Sequence, residues 1–408
     1  MIYDPNDPDF QADPYAAYAR IRDTAPVHRA RLGVWVLSRY VDVAEALRSK
    51  RLTSDPFAWA LYPEVAESVY GAPDCPLLNL QRAWMMLRDG ESHAAARRIV
   101  GSAMASDSLE DAAQHAAQMA SELVSGFRSQ GGGDFIQSIA KAIPLKVICY
   151  LLGMPYAEGV QCHVWLDKIL ATFGLGSVRP EDVAEANQAA MQIQQYFAQL
   201  LAQRRAHPRG DVLSRIIESW PDELSGEELV ANAVLLFSAG HETTANLIGN
   251  GILALMLHPD HWRGLSARSE LATPVVDEVL RYDAPVQVVS RSALTDITIA
   301  GHHVESGDHV ALLLGSANRD PARFAQPDLF DPHRRSNLAL SFGAGVHYCL
   351  GARLARLEAE AAFVESIRGL PGLRFADKRP EWAATSSHRG LVSLPLICSD
   401  IEIRGDDG

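Results

Sequence analysis

Residues 226–258 read as one unbroken helical run, bracketed by Pro221 and Pro259 and free of internal proline. Proline lacks an amide hydrogen and clashes with the preceding turn, so those two residues set the limits of the element. A helix of that length and apolarity needs other helices to cover it. The rest of the chain supplies them. Residues 92–210 are rich in Ala, Leu, Gln and Glu, with breaks at Gly131, Gly132 and Gly133 and around Gly174 to Pro180. Residues 41–47 and 270–282 are shorter helical stretches, the second ended by Pro285.

Strand signals are few. Val27 and His28 with residues 34–37 form a small hairpin across Gly33, and residues 297–300, 310–314 and 391–397 are strand-like. Residues 55–88, with Pro56, Pro63, Pro73 and Pro76, read as a long irregular loop, and long loops tend to be functional. Residues 318–336 form a meander rich in Pro, Asp and Arg, and another helix starts just after Cys349. No repeat or low-complexity linker divides the chain. Residues 1–408 are therefore expected to form one mainly α domain with a minor β region.

The formal net charge of −13 argues against nucleic-acid and anionic-membrane partners. No apolar run approaches the ~20 residues a membrane helix needs. Met1, Ile2, Tyr3, Asp4 and Pro5 show neither the basic start nor the apolar stretch of a signal peptide. The five cysteines (Cys75, Cys149, Cys162, Cys349, Cys398) are scattered and odd in number, with no CxxC pair, so no disulfide framework or zinc site is expected. These features predict a cytoplasmic protein in a reducing compartment.

Cys349 stands out by its surroundings: Phe342-Gly343-Ala344-Gly345-Val346-His347-Tyr348-Cys349-Leu350-Gly351. A lone cysteine is ordinarily a small buried hydrophobe. A Gly-rich turn running into a helix, however, both shelters a thiolate and aims amide donors at its sulfur. The segment resembles the heme-binding signature of the cytochrome P-450 family, Phe-Gly-x-Gly-x-His-x-Cys-x-Gly, with every specified position present. The resemblance spans nearly the whole chain, strongest over residues 229–357 and weakest over 57–80 and 161–200. It implies the cytochrome P-450 fold, with heme b between the long central helix and the helix after the cysteine loop. Cys349 would be the proximal iron ligand, and Phe342, Gly343 and Gly351 would shape its loop.

Other segments fit the same family in order. Ala239-Gly240-His241-Glu242-Thr243-Thr244 lies inside the long helical run. Glycine in a helix interior costs about 1 kcal/mol relative to alanine, and a threonine bonding back one turn distorts the helix. Together they would open a groove beside a flat cofactor. The segment resembles the family's oxygen-binding motif, which implies that Thr243 and Glu242 form the acid–alcohol pair delivering protons, with Thr244 a secondary candidate. His241 has no histidine or cysteine one turn on and is read as a packed or solvated side chain. A buried heme also needs cations for its two propionates. His93 and Arg97 share a helical face and match the family's His-x-x-x-Arg site. Arg291 and His347 match the other usual partners. Glu278 and Arg281 resemble the structural Glu-x-x-Arg pair. The expected meander arginine is replaced by Leu329, and Arg334 is assigned as the third member.

Arg353 and Arg356, with Arg97 and Arg98 nearby, form a basic patch suited to an acidic electron carrier, or are ordinary surface arginines. Leu78, Leu80, Trp84, Met85, Leu235, Leu236, Ala239, Val286, Val288, Val289 and Val392 are substrate-pocket candidates by position, and equally ordinary core residues. The implied activity is O2-dependent hydroxylation or epoxidation of an apolar small molecule from natural-product or catabolic metabolism. Electrons would come from a ferredoxin and an NAD(P)H-dependent reductase on separate chains, since no GxGxxG motif is present. The family default is a monomer. Alternatives are a variant outcome (C–C coupling, nitration, peroxide-driven oxidation), a non-catalytic heme sensor, or a substrate held on a carrier protein.

Overall fold

A computed structural model describes residues 3–4, 7–71, 74–104, 106–172, 178–221, 224–377, 379–383, 385 and 387–398. The central run begins with a capping box. Ser225 Oγ accepts from Glu228 N at 3.1 Å, and Glu228 Oε2 accepts from Ser225 N at 2.9 Å. The run is not one helix, as the sequence suggested. It is two, Gly226–Ala239 and Glu242–Leu257, with a break at Gly240 and His241. The Gly240 amide closes the first helix on Leu236 O, and His241 leaves helical geometry at φ −125°. Thr243 Oγ1 donates to Ala239 O at 3.3 Å and holds the distortion. A Cβ at Gly240 would come within 2.8 Å of Ile148 Cδ1. Only glycine lets helix Ala142–Leu151 approach this turn so closely.

Helices Ala142–Leu151, Ala272–Tyr282 and Ala352–Gly369 pack on the second half of the pair, Ser106–Ser129 packs on the first and last of these, and all share one apolar core. Helix Pro180–Ala206 packs on Tyr156–Leu170, Pro76–Arg82 and Gly226–Ala239. The principal sheet has five strands. The hairpin Val27–Arg29 and Trp35–Leu37 pairs in parallel with His309–Leu313, which runs antiparallel to Val288–Ala293, with Leu52–Thr53 at the edge. The break at Gly131 to Gly133 contains an edge strand, Gly132–Asp134, paired with Pro395–Cys398. Gly132 has φ 118°, and a side chain there would overlap the Leu396 carbonyl.

The expected loop over residues 55–88 is instead partly helical, with helices Tyr62–Tyr70 and Pro76–Arg82 and turns Pro56–Ala58 and Met85–Leu87. Pro56, Pro63 and Pro76 sit in first turns, where the missing amide hydrogen costs nothing. They start these elements rather than break them. Pro73 and the expected break at Gly174 lie outside the described residues. Among the described residues no single helix is long and apolar enough to cross a membrane. Ile136–Leu151 and Tyr156–Leu170 pass that test only as a pair bent by 114°.

Candidate active site

The cysteine loop is held by its own backbone. Cys349 N donates to Phe342 O at 2.9 Å and Gly343 N to Leu340 O at 2.8 Å, with a 3-10 turn over Gly345–His347. Gly343 and Gly345 lie at φ 69° and 71°. A Cβ on Gly345 would also press within 2.9 Å of Leu47 O. Cys349 keeps an exposed face, and the loop crowds it elsewhere. Burial pushes the thiol up, against the Gly351 amide at its sulfur and the charges of Arg97 and Arg356. Phe342 lies under the Arg356 guanidinium, 4.6 Å from the ring centre.

Helix Gly90–Ala103 brings His93 and Arg97 against this loop. His93 Nδ1 meets Met85 O at 2.8 Å and Nε2 meets Val346 O at 3.3 Å, while Arg97 donates to Tyr348 O. The His93 and His347 rings stand 4.2 Å apart. His347 Nε2 pairs with Asp89 Oδ1 at 2.7 Å. Asp89, which the sequence reading passed over, also accepts from Thr53 Oγ1 and Ser54 N. Burial pushes its carboxyl up, but the bonds from His347, Thr53 and Ser54 outweigh it and hold the group well below the usual carboxylate range. The available signal was an Asp immediately before a helix start. Its partner is 258 residues away.

Arg291, on strand Val288–Ala293, is buried, and among the described residues its guanidinium bonds only the adjacent Ser290 O, at 2.7 Å. Among the described residues no carboxylate lies within ion-pair distance of it. Burial pulls the guanidinium down, with Asp89 opposing from farther off.

At the helix break, Ala239 is exposed although most of its helix is buried. Glu242 and Thr243 are half-buried and Thr244 is buried. Burial and then Asp167 push the Glu242 carboxyl up, against His163 and Lys141. His241 is buried, with Nδ1 on Phe237 O at 2.8 Å and Nε2 on His163 Nδ1 at 2.9 Å.

Glu278 and Arg281 form a bidentate pair at 2.9 and 2.7 Å, wholly buried. Arg281 also donates to the carbonyls of Asn318, Pro327 and Leu329. Arg334 Nε stands 3.5 Å from Glu278 Oε2. Asp331 N and Asn337 Nδ2, not foreseen, complete the carboxylate at 2.8 and 3.2 Å. Leu329 turns its side chain out and contributes its carbonyl to both arginines.

Two expectations change. The basic patch is largely paired, Arg356 with Asp277 at 2.9 Å and Arg353 with Glu110 at 3.8 Å. Several pocket candidates face no open space: Leu78, Leu80 and Trp84 are at most 2% exposed, and Leu235 is buried with them, while Met85, also buried, lines a small cavity with Ala83, Ser92 and Asn232. Helix Pro76–Arg82 lies on Pro180–Ala206, fastened by Leu77 N to Asn187 Oδ1 at 3.1 Å, and this turns its leucines into the core. Leu236, Ala239, Val286, Val288, Val289 and Val392 keep accessible surface.

This cysteine loop, flanked by histidines and arginines and placed in a helical fold with a broken central helix, has counterparts in known proteins. The cytochrome P450 family pattern matches residues 177–369. The chain is 36% identical to the vitamin D(3) 25-hydroxylase of Pseudonocardia autotrophica, over 95% of this chain and 94% of that protein. It is 31% identical to the polyketide biosynthesis cytochrome P450 PksS of Bacillus subtilis, over 98% and 99%. The solved structure of P450BioI with an acyl carrier protein bearing hexadec-9Z-enoic acid superposes with a TM-score of 0.88, at 31% identity, covering 96% and 100%. The chain belongs to the cytochrome P450 family. It is a monooxygenase whose cofactor is heme b, and its relatives use a substrate, O2 and redox partners.

The residues fit that cofactor. Arg291 is a buried cation awaiting an anion, as a propionate would be. Gly351 has an ordinary φ of −83° with nothing within 4 Å of a Cβ, so neither backbone nor protein packing demands glycine there. A flat group against the loop would.

Proposed function

We propose that this enzyme hydroxylates or epoxidises an apolar small molecule of natural-product or catabolic metabolism. The observation that carries the reading is the placement of a half-buried Glu242 and Thr243 side by side at the broken turn. A carboxyl pushed upward by burial is a poised proton donor, and a neighbouring hydroxyl already bound to Ala239 O gives the proton a defined next position. In this reading Cys349 holds the heme iron, and His93, Arg97, Arg291 and His347 hold the propionates. The bound heme supplies oxygen activation, which the thiolate strengthens. Glu242 takes protons from the solvent side and Thr243 hands them on, while the apolar surfaces of Leu236, Val286, Val288 and Val289 exclude water. Glu278, Arg281 and Arg334 act structurally.

Electrons would come from a ferredoxin and its reductase as separate chains. The chain would act as one domain and a monomer in the cytoplasm. A complete acid–alcohol pair argues against a peroxide user or a sensor, neither of which needs it, and leaves C–C coupling and nitration as alternative outcomes. The substrate class draws on relatives: P450BioI was solved with a lipid-bearing carrier protein and a myxobacterial P450 with myristic acid. The first of these supports a second reading, a substrate delivered on a carrier. It would show as a spin-state shift given by acyl carrier protein but not by the free acid.

The test is a pair of variants. Cys349→Ser should lose the long-wavelength Soret band of the reduced carbon-monoxide form. Thr243→Ala should still accept electrons but release peroxide, with product per NADH falling at least about tenfold, since general acid catalysis contributes ~10²–10⁴. Unchanged product per NADH rejects the relay.

A further inference from the structure

His241 and His163 form a hydrogen bond between buried or half-buried imidazoles, 2.9 Å between nitrogens, with rings 4.9 Å apart at 80°. One partner must donate and the other accept. His241 Nδ1 faces the Phe237 carbonyl at 2.8 Å, and a carbonyl only accepts, so Nδ1 carries the hydrogen. Burial, then His163, pull His241 down to about 4, so its Nε2 is a bare acceptor at neutral pH. His163 must therefore donate from Nδ1. The central helix thus fixes its ring orientation, and the outward Nε2, where a second hydrogen gives the ring its charge, faces Asp167 Oδ2 at 3.6 Å.

We propose that His163 is a positioning residue for proton delivery, held by His241 at the broken turn so that it and Asp167 together set the charge state of Glu242. The inference rests on Glu242 being the proton donor. Asp167 is largely exposed and linked to bulk water, whereas His163 is mostly buried. Among the described residues, charged or titratable groups act on the site from three places. His163 and Asp167 come from helix Tyr156–Leu170, Lys141 from the turn before Ala142–Leu151, and His241 from the central break. On helix Pro180–Ala206, which packs on Tyr156–Leu170, Glu185 pairs with Lys168 and Tyr196 with Glu158. Asp167 opposes the charged form of Glu242, while His163 and Lys141 favour it. The two members of the His163–Asp167 pair thus act on Glu242 with opposite sign.

The holoenzyme tests this through the pH dependence of product formed per NADH. In His163→Gln the amide still donates to His241 but cannot carry charge, and the midpoint set by Glu242 should rise by at least about half a pH unit. In Asp167→Asn it should fall. A seam that is only structural would move neither. Independently of turnover, imidazole nitrogen NMR of the carbon-monoxide form should show neutral Nδ1–H His241 from pH 5 to 8. Its Nε2 signal should shift in His163→Phe, and an unshifted signal overturns the inference. Glu242→Gln separates the two levels of argument. If it leaves coupling and its pH profile unchanged, the relay reading falls and this inference with it. If it uncouples turnover while His163→Gln and Asp167→Asn leave the midpoint in place, only this inference falls.

Discussion

Two buried arginines in this molecule are treated in opposite ways. Arg281 spends its guanidinium on a bidentate carboxylate and three carbonyls, whereas Arg291 has one carbonyl from its own neighbour. An uncompensated buried charge is costly, so Arg291 is satisfied only when an anion arrives. Arg291→Met should weaken heme binding about ten- to a hundredfold, the value of a charge-assisted hydrogen bond at about 1.5–3 kcal/mol. Heme transfer to a competing acceptor protein measures this, and an unchanged transfer rate removes Arg291 from the propionate set. Position along the chain singled out Arg291, but nothing local revealed its unbalanced charge. Asp89 was missed for the same reason, since its importance lies in His347, Thr53 and Ser54 converging on it.

Helices in this fold are placed by small residues that permit close approach. Gly251, on Glu242–Leu257, faces the fully buried ring of Phe363 on Ala352–Gly369, and a Cβ there would overlap that ring. Gly251→Ala should destabilise by about 1–3 kcal/mol through overpacking, read as a lower denaturant midpoint with the slope unchanged. Because this contact joins the helix after the cysteine loop to the central helix, the heme spectrum of the variant should broaden as well. Helix content was legible from apolar spacing and from Pro221 and Pro259. The split at Gly240 was legible only as a distortion, because a side-chain bond from Thr243 and the approach of Ile148 decide whether a glycine kinks a helix or ends it. The helices within residues 55–88 were hidden because proline marks both breaks and first turns, and only the partner surface of Pro180–Ala206 selects the second.

Across the whole molecule, segments far apart in sequence, around Tyr15 and Arg389, are clasped to Asp283. Asp283 accepts from Tyr15 Oη at 2.6 Å and from Arg389 Nε at 2.7 Å, and Arg389 reaches on to the carbonyls of Gln11 and Ala12. Tyr15 lies 3.6 Å from the Arg319 guanidinium, and Arg389 stacks on Trp382. Asp283→Ala leaves a buried cation unpaired and should cost about 3–5 kcal/mol. It should also expose the first helices to limited proteolysis; an unchanged digestion pattern would show that the clasp holds without Asp283. By itself the sequence determined the helical class, the cysteine loop and the family, because those depend on periodicity and on spacing within short segments. The tertiary structure alone decided which charges are balanced, which leucines face core rather than open space, and that His163 bonds His241 at the helix break. Neutralisation, burial and hydrogen-bond partnership are properties of groups brought together from distant parts of the chain, and no local pattern records them.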